Sequence, residues 1–172
     1  LEDVPGVGKT TTALALSRVM GMDFNRIQFT PDVVPSDVTG FTMYDKQSGQ
    51  FLYRPGAVMC NLLLADEINR TSSKTQSALL EVMEEGRVTV DGETHTVPAP
   101  FVVIATENPV GSSGTQLLPE SQLDRFMISV SMGYPDHQSL VELLRDRQKV
   151  NPLEHAKTVL TREEVLNLQK KV

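Results

Sequence analysis

Residues 5–11 read Pro-Gly-Val-Gly-Lys-Thr-Thr, and few runs this short constrain a chain as tightly. Glycines let backbone N–H groups curl around an anion where a side chain would clash. The helix that follows turns its N-terminus, with its partial positive charge, toward the same anion. Lys9 can reach the β- and γ-phosphates of a nucleoside triphosphate, and the Thr10 hydroxyl can bind Mg²⁺. The full pattern is G-x-x-x-x-G-K-[ST], with Asp3 in place of its first glycine. Pro5, Gly6, Val7, Gly8, Lys9, Thr10 and Thr11 are therefore the candidate ATP-binding residues. The alternative is a glycine turn opening an ordinary helix. A loop of this kind normally follows a buried strand. Here Leu1-Glu2-Asp3 stands directly before the glycines, so the chain reads as a fragment.

Apolar spacing gives the rest of the plan. Residues 9–20 read as a helix, with Ala13, Leu16 and Met20 in register and Gly21 as a stop. A short strand is expected at 25–29. Two extended runs, 41–45 and 51–54, flank Lys46-Gln47-Ser48-Gly49 and predict a hairpin. Residues 61–66 hold Leu62, Leu63, Leu64 and Ala65 in a row, which suits a strand buried on both faces. Residues 73–85 read as a helix, with Ser73 and Gln76 as its capping box. Asp91-Gly92 predicts the turn of a second hairpin over 87–97. Further strands are expected at 101–106 and 128–132, and helices at 136–150 and from 161 onward. Strands alternating with helices indicate an α/β fold with a central parallel sheet, to which the two hairpins are additions.

Three more features carry chemistry. The strand over 62–66 ends in Asp66-Glu67, and a buried strand ending in two carboxylates delivers them to the sheet's carboxyl edge. Asp66 would hold Mg²⁺ through water, and Glu67 would polarise an attacking water. The other reading is a strand end followed by a solvated turn. Thr106-Glu107-Asn108 closes the next strand; Asn108 could contact a γ-phosphate, or simply form a turn before Pro109. In Leu123-Asp124-Arg125-Phe126, Arg125 could stabilise transition-state charge in a neighbouring subunit. It could equally sit in a local ion pair with Glu120 or Asp124.

The composition narrows the class. The chain has 172 residues, room for one domain with a sizeable core. A net charge of −6 argues against a general nucleic-acid binder, which needs Lys and Arg for phosphate contacts. The single cysteine, Cys60, excludes an internal disulfide and fits core packing and a cytoplasmic setting. His95, His137 and His155 lack metal-ligand spacing. No apolar run approaches the roughly 20 residues that span a bilayer.

Taken in order, these motifs resemble the AAA+ ATPases and, within them, the MoxR family. The matching text is VPGVGKT, LLLADEINR, EEGRVTVDGETHTVPAPFVVIATENP and LPESQLDRF, within residues 1–135. The resemblance implies a P-loop NTPase three-layer sandwich. Residues 1–135 would be the nucleotide-binding core and 136–172 the start of a helical lid. It assigns Gly8, Lys9 and Thr10 to Walker A, and Asp66 and Glu67 to Walker B. Asn108 corresponds to sensor 1 and Arg125 to the arginine finger. It implies ATP and Mg²⁺ at subunit interfaces of a homo-oligomeric ring, commonly a hexamer. It also implies chaperone-like remodelling, often of proteins with von Willebrand factor A domains. A nucleotide-switched scaffold without turnover and a DNA-processing motor are the alternatives. The adenine-contacting and sensor 2 residues are expected outside this stretch.

Overall fold

Leu62, Leu63, Leu64 and Ala65 offer no polar face, so the strand they form must be covered on both sides. The computed structural model describes residues 8–107, 118–146 and 152–171. In it these four residues are fully buried in β4 (Leu62–Asp66). Strands β1 (Phe24–Gln28) and β7 (Val102–Ala105) flank β4, both parallel to it.

Alternation along β4 splits the core into two layers. Leu62 and Leu64 pack with Ala13, Met22 and Val165 on one face. Leu63 and Ala65 pack with Phe29, Val38, Val58, Ile68, Leu79 and Val82 on the other. Helix α1 (Lys9–Val19) covers the first face and α3 (Ser73–Glu85) the second, which makes the expected three-layer α/β arrangement. Buried Asn61 ties the amino edge together. Its amide donates to the Pro100 carbonyl at 3.0 Å, and its side-chain oxygen accepts from the Asp23 N–H at 3.3 Å.

Both hairpins form where the turn residues put them. Strands β2 (Gly40–Asp45) and β3 (Gln50–Pro55) pair antiparallel, as do β5 (Arg87–Val90) and β6 (Glu93–Thr96). Asp91 and Gly92 both take positive φ, 50° and 84°, as a tight two-residue hairpin turn requires. The Tyr53 ring stacks on His95 at 3.7 Å between centroids, joining one hairpin to the other. The short helix α2 (Pro35–Thr39) leads into β2, and at its end two backbone segments, residues 38–40 and 54–56, press together. A Cβ on Gly56 would lie 2.3 Å from both the Val38 oxygen and the Gly40 nitrogen.

Three details differ from expectation. Helix α3 is capped by Ser72, whose hydroxyl accepts from the Thr75 N–H at 3.3 Å. Gln76, expected to close a capping box with Ser73, is buried instead and donates to the Ile68 and Thr71 carbonyls at 3.1 and 3.4 Å. It thereby pins the 3-10 turn Ile68–Arg70 to α3. Residues 128–132 form no strand. An extended segment becomes a strand only beside a partner for its backbone, and this one pairs with no described strand. Strand β7 is half-buried throughout, because β4 lines one of its edges and no other described strand pairs with it.

Beyond β7 the described elements are α4 (Glu120–Leu123), α5 (His137–Asp146), the 3-10 turn Pro152–His155 and α6 (Arg162–Gln169). In α6, Thr161 and Glu164 form a full capping box: the Thr161 N–H donates to the Glu164 carboxylate at 2.7 Å. That bond and the Thr161 hydroxyl hold the Glu164 carboxyl below its usual range.

Gly56→Ala is expected to lose about 1–3 kcal/mol of stability through this backbone clash. Urea unfolding measured against the parent chain checks it.

Candidate nucleotide-binding site

Strand parity decides which side chains meet at the carboxyl edge. Asp66 continues the series Leu62, Leu64, so its carboxylate lies on the α1 side of the sheet. Thr106 continues Val102 and Ile104, and Arg26 follows Phe24, on that same side. Residues 20–23 carry the chain from α1 to β1 at the amino edge. Helix α1 therefore runs back across the sheet, and its first turn faces the carboxyl edge. Gly8 caps that helix at φ 91°, a left-handed conformation that favours glycine. Gly8 has no side chain to cap the helix, and no acidic residue occupies the first turn. Lys9, Thr10 and Thr11 open the helix half-buried.

Thr106 organises the acidic pair. It is fully buried. Its hydroxyl donates to Asp66 Oδ1 at 2.5 Å and accepts from the Glu67 N–H at 2.9 Å. Its backbone N–H donates to the Ala65 carbonyl at 2.9 Å, and its own carbonyl accepts from the Ile68 N–H at 3.0 Å. Between these bonds Glu67 sits at φ 57°, ψ 47°, left-handed for a residue that carries a Cβ. Such a conformation costs on the order of 1–3 kcal/mol and persists where surroundings over-determine it. Here it turns the chain sharply after Asp66, separating two adjacent carboxylates into two settings.

Each carboxylate has a cation. Arg26 Nη2 approaches Asp66 Oδ2 at 2.6 Å and also donates to Gln28 Oε1 at 2.7 Å. Arg70 Nη1 pairs with Glu67 Oε2 at 2.8 Å. Arg125 pairs with Glu84, at 2.9 Å, rather than with Glu120 or Asp124. Glu84 lies in the last turn of α3, a helix of 13 residues that leaves the carboxyl edge after Glu67. At 1.5 Å per residue that helix spans about 20 Å, so the structure does not bring Arg125 to Asp66 and Glu67 of its own chain. Pro5, Gly6, Val7 and Asn108 lie outside the described residues, as does Asp3.

Among the described residues no group of His, Cys, Asp and Glu has metal-site geometry. Cys60 is buried before β4, and burial pushes its thiol up to about 11. Sequence reading missed Arg26, Arg70 and Glu84. The Glu67–Arg70 spacing of three was a readable signal; Arg26 and Glu84 act across elements and left none.

Comparison with known proteins fits this geometry. The ATPase family associated with various cellular activities (AAA) matches residues 1–128. The chain is 46% identical over 169 residues to chaperone MoxR1 of Mycobacterium tuberculosis, covering 98% of this chain and 44% of that one. This chain belongs to the MoxR-type AAA ATPases. Another MoxR-type relative, protein MoxR of Methylorubrum extorquens, is 31% identical over 140 residues, 78% of this chain and 40% of that one. The uncharacterized protein YeaC of Bacillus subtilis is 55% identical over all 172 residues, which are 54% of its length. The crystal structure of a candidate ATPase from Cytophaga hutchinsonii superposes with a TM-score of 0.86 at 42% identity. It covers 98% of this chain and 51% of that one. The MoxR-type chain here thus spans about half the length of these relatives.

Thr106→Val keeps the volume and removes the hydroxyl from Asp66 and the Glu67 N–H. Leaving these groups without that partner is expected to cost roughly 1–3 kcal/mol. Thermal and urea melts of the variant measure the loss.

Proposed function

We propose that this chain is the nucleotide-binding core of a protein that hydrolyses ATP and uses the energy to remodel a partner. The carrying observation is the Asp66–Thr106–Glu67 clamp, set at the carboxyl edge on the side of the α1 first turn. Backbone N–H groups at that turn, with Pro5, Gly6, Val7, Gly8 and Thr11, would cradle the phosphates. Lys9 would balance their charge.

The donor set fits Mg²⁺. The Thr10 hydroxyl and the Asp66 carboxylate are hard oxygen donors of the kind Mg²⁺ takes. Thr10 and Asp66 would hold the ion, which when bound would neutralise charge on the phosphate oxygens. Glu67, turned away from Asp66 by its left-handed backbone, would accept a proton from the attacking water. Asn108 would orient that water.

Arg125 would act in trans. Its position beside Glu84, one helix length from the acidic pair, supports a role at a neighbouring subunit's site. That reading entails a homo-oligomeric ring, with a hexamer the natural size. Residues 136–172 would begin a helical lid. The MoxR1 relative is named a chaperone, which supports a protein client. A von Willebrand factor A domain protein is the candidate, in the cytoplasm. Among the described residues no helix is long and apolar enough to cross a membrane.

In the full-length protein, Glu67→Gln is expected to bind ATP normally while kcat falls by about 10²–10⁴. Steady-state ATPase assays with nucleotide binding measured in parallel check this; wild-type turnover would remove Glu67 from the mechanism. The ATPase rate per subunit should also climb with protein concentration as rings assemble. Arg125→Ala should stay flat at the dilute rate. A flat, negligible rate in the parent protein would favour a nucleotide-switched scaffold.

A further inference from the structure

Asp66 has no oxygen left without a hydrogen-bonding partner. Oδ1 accepts from the Thr106 hydroxyl at 2.5 Å, and Oδ2 accepts from Arg26 at 2.6 Å. The two partners differ in kind. Thr106 is fully buried, neutral and fixed by its backbone bonds. Arg26 brings the positive charge of a guanidinium. Its side chain is 43% exposed, against 14% for Asp66. It can therefore swing into solvent, whereas Thr106 cannot.

Strand register explains how Arg26 arrives there. Arg26 stands opposite Leu64 and Gln28 opposite Asp66. Arg26 thus reaches diagonally, two residues along the neighbouring strand, a distance long side chains cover. Gln28, directly beside Asp66, receives a second bond from the same guanidinium nitrogen at 2.7 Å and steers it. The placement is built from two elements rather than from a chance surface encounter.

We propose that Arg26 is an internal counter-cation for Asp66. It balances the carboxylate while no divalent ion is held and raises the free Mg²⁺ concentration that the nucleotide site requires. The inference rests on the reading of Asp66 as the metal-holding carboxylate. A guanidinium on Oδ2 opposes a second cation there by charge and by occupying the lone pairs that a metal-bound water would use. Arg26 is a positioning residue in this scheme, since its effect passes through Asp66.

The test uses the full-length protein and N-methylanthraniloyl-ADP as a fluorescent probe. Free Mg²⁺ is titrated at fixed probe, and affinity in EDTA is measured separately to isolate the metal-dependent part. Arg26→Gln should lower the half-saturating free Mg²⁺ by roughly threefold to tenfold, as expected for removing one nearby, partly screened charge. Arg26→Lys, which keeps the charge, should stay within about twofold of the parent. Thermal melts confirm that both variants fold. An unchanged or higher Mg²⁺ requirement in Arg26→Gln overturns the inference. So does an equal shift in both variants, which would point to guanidinium geometry rather than charge. Asp66→Asn separates the two levels. If it raises the Mg²⁺ requirement while Arg26→Gln does nothing, only the counter-cation role falls. If Asp66→Asn leaves the Mg²⁺ dependence untouched, the metal reading of Asp66 falls and this inference with it.

Discussion

A carboxylate at the end of a buried strand needs fixed partners, and the Thr106 hydroxyl supplies the one on which the edge of this sheet depends. Strand β4 is covered on both faces and paired on both edges, so Asp66 is delivered by a strand held on every side. Thr106 comes from the adjacent strand and bonds to Asp66, Glu67, Ala65 and Ile68. One residue thereby fixes a side chain and the backbone turn behind it. Gln76 extends the restraint by tying that turn to α3.

The consequence is division of labour between two neighbouring acids. Adjacent residues on a regular strand point to opposite faces. Glu67 leaves the strand instead through a left-handed step, and each carboxylate acquires its own cation from a different element. Two acids with distinct partners can take distinct chemical roles even though they are consecutive in the chain. The strain at Glu67 is tolerated because hydrogen bonds on both sides of it are already satisfied.

Much of this architecture is legible in the order of the amino acids alone. The unbroken apolar run at 62–65 announces a central strand, because a strand without a polar face has only one stable position. Asp91-Gly92 announces its hairpin because few residue pairs tolerate two positive φ values. What stays hidden is cross-element contact. Nothing near Arg26 in sequence points to Asp66, 40 residues away, and the pairing emerges only when the β1–β4 register is known. Glu84 and Arg125 are hidden for the same reason. The capping box expected from Ser73 and Gln76 does not form because burial of Gln76 against two free carbonyls outweighs a local bond at the helix end. The strand expected at 128–132 does not form, because strand pairing depends on neighbouring elements that the segment itself does not specify.

On this account the first turn of α1 and the Asp66–Thr106 edge form one nucleotide and metal site. Paramagnetic Mn²⁺ with ADP, added to ¹⁵N-labelled protein, tests it most directly. The amides of Lys9, Thr10, Asp66, Glu67 and Thr106 should broaden first and together, while those of Tyr44, Phe51 and Asp91 on the hairpins stay sharp. Broadening centred on the hairpins, or spread evenly over the chain, would contradict it.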